Sequence, residues 1–264
     1  MGAHPASYLI EPQMDLNRML QNPPRVQRNG QGEFVEMGLT AEALTLISKR
    51  IDGSSHTLET GCGVSTVVFA LAGSQHICIT PAEHEIQRIK EYCEAENIPV
   101  DQITFYADSS ERVLPSIECE QLDLVLIDGR HGFPAPFIDY YYTAAKLKID
   151  GLLVVDDTWL WTGQVLKEVL LAEPEWQLEA DLGSRTAIFR KLAEGSHTKE
   201  WPQQEFVVRN SAFKLSEDPP PPSALVTAAR YLKRGEFAVL GKKIARKLSR
   251  SGGPPPPPHG VQGG

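Results

Sequence analysis

With 264 residues, 41% hydrophobic and 23% charged, the chain is long enough to bury one sizeable core and has the composition of a globular protein. The formal net charge of −8 is unevenly spread: residues 225–264 carry eight Lys/Arg against Glu236 alone, a net +7, which leaves −15 on residues 1–224. So acidic a body is a poor partner for nucleic acid, and no apolar run approaches the ~20 residues that span a bilayer. Cys62, Cys78, Cys93 and Cys119 form no C-x-x-C pair and no metal-type spacing, and read as reduced thiols. The first ten residues lack a basic stretch ahead of an apolar one, and Ala6 stands where an acylation signal needs Ser or Thr, so a cytoplasmic protein is expected.

Residues 1–39 are rich in Pro, Asn, Gln and Gly and read as a loop-rich arm with one short helix near Leu16–Leu20, folding over a ligand site. Regular patterning occupies 40–192. The segment 40–51 places Leu44, Ile47 and Ile51 at helical spacing. Strand-like runs follow at 56–59, 76–80, 102–107, 122–127 and 151–155, separated by helical stretches at 65–72, 82–96, 109–117, 136–147 and 162–171. In 82–96, Ile86, Ile89 and Cys93 form one apolar stripe. This alternation predicts a doubly wound α/β domain, its parallel sheet covered by helices on both faces. Two more strands, 175–182 and 186–192, are joined by Gly183-Ser184 without a helix, which puts an antiparallel hairpin strand at the sheet's far side. Tyr140-Tyr141-Tyr142 cannot share one helical face, so core packing with one exposed ring is expected. Residues 193–222 form a linker ending in four prolines, 223–250 a basic amphipathic helix and 251–264 a disordered Pro/Gly tail.

The chemistry gathers where predicted strands end, the place where open parallel sheets bind ligands. Glu59-Thr60-Gly61-Cys62-Gly63-Val64-Ser65 sets an acid, two glycines and a hydroxyl at the turn from strand to helix. Glycines allow close backbone approach, and the helix N-terminus offers free N–H groups. The acid disfavours a pyrophosphate and suits a ligand with hydroxyls and a protonated amine; Thr66 also replaces the third glycine of a dinucleotide fingerprint. The later strands end in Thr80-Pro81-Ala82-Glu83, Asp108-Ser109, Asp128-Gly129-Arg130-His131 and Asp156-Asp157-Thr158-Trp159.

Over residues 40–192 these motifs resemble class I S-adenosylmethionine-dependent methyltransferases of the small-molecule O-methyltransferase branch. The resemblance implies a Rossmann-like seven-stranded sheet, mostly parallel with an antiparallel C-terminal hairpin strand. It also implies roles. Glu59 would anchor the methionyl ammonium of S-adenosylmethionine, Gly61, Gly63 and Ser65 would line the cofactor loop, and Asp108 and Ser109 would hold adenine. Asp128 would lie under the methionyl moiety. The family's ribose-binding acid is replaced by Thr80, with Glu83 as the substitute. Two devices for deprotonating the acceptor stay open: His131 as general base, or Mg²⁺ on Asp128, Asp156 and Asp157. Trp159 and Trp161 are candidates for the wall of the acceptor pocket.

Plainer readings stand beside these. Asp108-Ser109 and Asp156-Asp157 can each cap the helix that follows, and His131 can simply hydrogen-bond within its loop. The expected function is methylation of a hydroxyl on a small metabolite. The alternatives are a non-catalytic binding protein that keeps the cofactor fold, or an NAD-dependent dehydrogenase. The basic tail would dock on the acidic body, on an anionic membrane surface or on a partner protein.

Overall fold

The computed structural model describes residues 15–27, 31–34, 38–119, 121–183, 185–195 and 198–212. The chain divides into one compact unit, 1–210, and a second, 211–264, of which only Ser211 and Ala212 are described. The polyproline spacer, the basic helix and the Pro/Gly tail expected from the sequence lie outside the described residues, as does most of the linker's second half.

The arm contributes α1 (Leu16–Gln21), capped by Asp15, whose carboxylate accepts from the Arg18 N–H at 2.9 Å. Helix α2 (Ala41–Ser48) is capped by Thr40, which accepts from the Ala43 N–H. Then β and α alternate: β1 (His56–Thr60), α3 (Val64–Ala72), β2 (Gln75–Ile79), α4 (Glu83–Ala95), β3 (Ile103–Tyr106), α5 (Ser110–Val113), β4 (Leu122–Ile127), α6 (Ala135–Ala144), β5 (Leu147–Val155) and α7 (Trp161–Ala172). The hairpin β6 (Trp176–Leu182) and β7 (Thr186–Lys191) follows, and then a short 3-10 turn at Trp201–Gln203 and α8 (Glu205–Asn210).

The seven strands are ordered β3-β2-β1-β4-β5-β7-β6. The first five are parallel, while β7 runs antiparallel to both β5 and β6. The hairpin thus inserts its second strand between β5 and the edge, a placement that the missing crossover helix makes available. Strand order reverses between β1 and β4, and a crevice opens there beyond the strand ends.

Strand β4 shows why the central runs are apolar throughout. Leu124 and Leu126 join a core with α1–α4 that includes Met19, Ile47, Phe69 and Ile89; Val125 and Ile127 join the opposite core with Tyr140, Leu166, Leu170 and Trp176. Both faces are covered, so alternation gives way to continuous hydrophobicity. The stripe Ile86, Ile89 and Cys93 is the buried face of α4. Tyr140 is buried against Trp176, while Tyr141 is exposed. Strand β5 begins at Leu147, earlier than the pattern suggests, because Leu147 already pairs with Leu122; the ladder then shifts register before Leu124, and Asp150 in that stretch adopts φ 66°.

Among the described residues no helix is long and apolar enough to cross a membrane.

Candidate functional site

A cleft of about 670 Å³ lies over the carboxyl ends of β1 to β5. Thr60, Gly61 and Cys62 form its floor; Thr80, Ala82 and Glu85 close one side, with Ser109 and Ser110 beside them. Asp128, Gly129, Arg130, His131, Asp156, Asp157, Trp159 and Arg185 build the other end, and Gln27 and Gly38 bring the arm to its edge. Its size is that of a site for a cofactor-sized molecule.

The floor depends on one backbone feature. Gly61 adopts φ 97°, and a Cβ there would lie 2.3 Å from the Asp128 carbonyl oxygen. The ends of β1 and β4 can meet only because residue 61 has no side chain. The Asp128 N–H donates to the Thr60 carbonyl and the Gly61 N–H to the Ile79 carbonyl, which fixes three strand ends together.

Several expected residues stand elsewhere. Glu59 does not line the cleft. Its side chain is 1% exposed and points into the α3 face, where Oε2 accepts from the Ser65 hydroxyl at 2.6 Å, while Oε1 accepts from Thr66 and lies 3.2 Å from His76 Nε2. His76 in turn contacts Thr57 Oγ1 through Nδ1 at 2.8 Å and stacks on Phe69 at 4.0 Å. A buried carboxylate needs such partners, and alternation along β1 turns Glu59 away from the side that carries Thr60. Ser65 is therefore an internal partner of Glu59, not part of the cleft wall. Gly63 heads α3 in extended backbone and its N–H donates to Thr66 Oγ1 at 3.1 Å. It too is outside the cleft wall.

Thr80 lines the cleft, but its hydroxyl reaches Glu85, at 3.4 Å, and not Glu83. Helix α4 starts at Glu83, which leaves that residue exposed at the helix tip and turns Glu85 inward. Burial pushes the Glu85 carboxyl up, against the opposing pull of His84, the Thr80 hydroxyl and Arg88. Sequence spacing alone missed Glu85, because which first-turn residue faces the strand end depends on where the helix begins. Asp108 lies outside the main cleft in a neighbouring hollow, where its Oδ1 accepts from the Ser109 N–H at 2.7 Å and pairs with Arg112 at 3.5 Å. Ser109 is in the cleft wall.

The remaining acids converge at one end. Burial first, then the charges of Asp156, Asp157 and Glu59, push the Asp128 carboxyl well above its usual range, with Arg185 opposing. Glu59 is thus felt in the cleft without touching it. Asp156 is buried; its Oδ1 accepts from the Thr186 hydroxyl, its Oδ2 has no hydrogen-bond partner among the described residues, and burial raises its pKa. Asp157 adopts φ 51°, a conformation that Asp tolerates better than most residues, and contacts His131 Nε2 at 3.2 Å, the Trp159 indole N–H and Arg185. The small Gly163 lets α7 pack here, since a Cβ would come within 2.5 Å of the Asp157 carbonyl oxygen. Thr162, beside it, donates to the His131 carbonyl.

One oxygen or nitrogen from each of Asp128, His131 and Asp157 lies within 4.8 Å of the others. Asp156 does not join this group, because its Oδ1 is turned to Thr186; the trio expected to hold Mg²⁺ is met in two of its members, with His131 beside them. The exposed Trp159 lines this end, whereas Trp161, also expected in the wall, is outside the cleft lining and packs at 6.5 Å from the exposed ring of Phe133. Arg185 belongs to the site although no motif marked it; it comes from the hairpin turn just before β7, not from the carboxyl end of a parallel strand.

A family model described as a methyltransferase domain matches residues 58–158, the stretch from β1 to the Asp157 loop. No curated protein sequence matches the chain. The solved structures similar to it share the fold. Cofactor-bound Rv0187 from MTB superimposes with a TM-score of 0.53 at 15% identity, over 61% of this chain and 85% of that one. The O-methyltransferase TomG from Streptomyces achromogenes, involved in tomaymycin synthesis and solved with SAM, gives 0.52 at 11% identity, over 64% and 92%. A Klebsiella pneumoniae protein provisionally assigned as an O-methyltransferase gives 0.53 at 18% identity, over 70% and 93%. With the strand order β3-β2-β1-β4-β5-β7-β6, these matches show that residues 58–158 resemble a methyltransferase domain and that the fold is the Rossmann-like one found in the O-methyltransferase structures.

Proposed function

We propose that the cleft binds S-adenosylmethionine and that its methyl passes to a hydroxyl of a small acceptor seated beside His131. The observation that carries this reading is the meeting of Asp128, His131 and Asp157 within 4.8 Å at one end of a cleft whose other end is built from β2 and β3. Thr80 and Glu85, which line one side of the cleft, would take the ribose hydroxyls, and Ser109 beside them the adenine edge. The lining acids outnumber the cations, which favours a ligand carrying a sulfonium and an ammonium. Glu59 acts from below: it holds the start of α3 through Ser65 and Thr66 and adds its field at Asp128.

The bound nucleoside supplies an electrophilic methyl on sulfur. The protein must hold the acceptor oxygen in line with it, at about 3–3.5 Å, and take up the hydroxyl proton. His131 is oriented twice, by Thr162 at its carbonyl and by Asp157 at Nε2, so its imidazole can accept that proton while Asp157 stabilises the resulting cation. Trp159 offers a flat apolar face against which an acceptor can lie. The donor set also fits a divalent cation such as Mg²⁺: Asp128, His131 and Asp157 supply converging atoms, and Asp156 keeps a buried oxygen without a partner among the described residues; there the ion would act as a Lewis acid on the hydroxyl.

The test is methyl transfer from labelled S-adenosylmethionine to a panel of phenols and sugars, with and without EDTA. Label in an acceptor supports the reading, and loss of transfer in EDTA assigns the deprotonating role to a metal. A protein that binds the nucleoside tightly and transfers to nothing is the binding protein of the second reading.

A further inference from the structure

Arg185 lies in the turn between β6 and β7, yet its guanidinium reaches into the cleft. Its backbone is fixed on both sides: the Arg185 N–H donates to the Leu182 carbonyl at 3.1 Å, and its own carbonyl accepts from the Thr158 N–H at 2.7 Å. From there Nη2 donates to the Gly38 carbonyl at 2.7 Å, Nε lies 3.8 Å from Asp157 Oδ1, and the guanidinium sits 5.9 Å from the centre of the Trp159 ring. Nε is buried and makes no hydrogen bond among the described residues. Arg185 also opposes the raised pKa values of both Asp128 and Asp156.

Gly38 is the other half of this contact. Its φ of 143° is one that side-chain-bearing residues rarely adopt, although a Cβ there would meet nothing. The glycine is thus required by backbone direction and not by space, and that direction presents the carbonyl to Arg185. Elsewhere the arm buries Met19, Val26 and Leu39 in the core and is fastened along α4, where Arg88 donates to the Val26 carbonyl and the Tyr92 hydroxyl to the Asn22 carbonyl at 2.8 Å, and where Arg88 lies over Phe34. The contacts along α4 hold the arm's first part. At the cleft edge, next to the buried Leu39, Arg185 adds a hydrogen bond to the arm's far end.

We propose that Arg185 is a positioning residue that clasps the arm onto the cleft and steadies Asp157 with the same guanidinium, so that seating the arm and aligning the His131–Asp157 pair are one event. This rests on the reading of the cleft as a methyl-transfer site. The guanidinium meets its two partners through separate nitrogens held in one plane, Nη2 at Gly38 and Nε toward Asp157, a geometry that a lysine, with its three donors on a single nitrogen, does not reproduce.

Hydrogen exchange on the full chain tests the clasp without any ligand. Arg185→Ala and Arg185→Lys should each speed exchange of the amides at 38–44 by about tenfold or more, the loss of one charge-assisted hydrogen bond, while β4 and β5 amides stay protected. Gly38→Ala breaks the contact from the other side and should do the same, which covers the case in which an Arg185 variant does not fold. In the wild type, S-adenosylhomocysteine should slow exchange at 38–44, and in the variants it should not. Wild-type exchange in Arg185→Ala overturns the clasp, and wild-type exchange in Arg185→Lys overturns the bridge. If the wild type ignores S-adenosylhomocysteine but the ligand-free exchange differences appear, the clasp stands and the methyl-transfer reading falls.

Discussion

The carbonyl oxygen of Asp128 occupies the space that a side chain on residue 61 would need: a Cβ there would lie 2.3 Å away. The two glycines of the β1–α3 loop, one residue apart in sequence, therefore do different work. Gly61→Ala should cost about 1–3 kcal/mol of stability from the strained φ alone, with more from the clash, and should abolish nucleoside binding. Gly63→Ala, in extended backbone with open space around it, should leave the melting temperature within a few degrees. Thermal melts and calorimetry on the two variants check this.

Glu59 is a structural carboxylate whose partners are all internal. Glu59→Ala should destabilise the protein by about 3–5 kcal/mol, because Ser65, Thr66 and His76 lose a shared buried partner. Glu59→Gln, which keeps an acceptor oxygen, should cost distinctly less. Denaturant midpoints give the comparison.

The side of the cleft at β2 distinguishes two glutamates. Glu85→Gln should weaken S-adenosylhomocysteine binding roughly tenfold, the worth of a charge-assisted hydrogen bond, and Glu83→Gln should leave it unchanged. Equal effects at both positions, measured by calorimetry, would remove Glu85 from the ribose side.

The raised pKa of Asp128 carries a sign. A carboxyl that is harder to ionise in the folded protein than in the unfolded chain adds stability below its unfolded pKa and loses it as pH rises through the folded value. Asp128→Asn removes that charge, so it should raise the melting temperature at neutral and alkaline pH. The gain should shrink as pH falls toward the ordinary Asp pKa of about 4. A melting-temperature difference that does not vary with pH contradicts the burial of this charge.

His131→Asn should lower kcat by about 10²–10⁴ with any acceptor that the protein methylates, while S-adenosylhomocysteine affinity stays close to wild type. Asp157→Asn should lower kcat less, because the imidazole itself remains and Thr162 still fixes the His131 main chain. Steady-state kinetics with calorimetry in parallel separates the two effects.

Much of this architecture was legible from pattern. Continuous apolar runs such as Leu124–Ile127 mark strands buried on both faces, the stripe Ile86, Ile89 and Cys93 marks the face of α4, and the short link that begins at Gly183 marks the antiparallel hairpin. The strand ends at Thr80, Ser109, Asp128 and Asp157 do meet in one cleft. What the sequence hides is side-chain direction. Glu59 and Thr60 are neighbours, yet the strand's period of two sends one into the α3 core and the other to the cleft. Asp156 and Asp157 part in the same way, through the positive φ of Asp157. Glu85 and Arg185 depend on where a helix starts and how far a turn reaches back, and neither is a local property of the chain.

The central claim is that this cleft seats the nucleoside. Titrating S-adenosylhomocysteine into the purified full-length chain in a calorimeter tests it most directly. The account predicts saturable binding of one nucleoside per chain, lost in Gly61→Ala and weakened in Glu85→Gln. No binding by a folded wild-type protein, or unaltered binding in both variants, would contradict it.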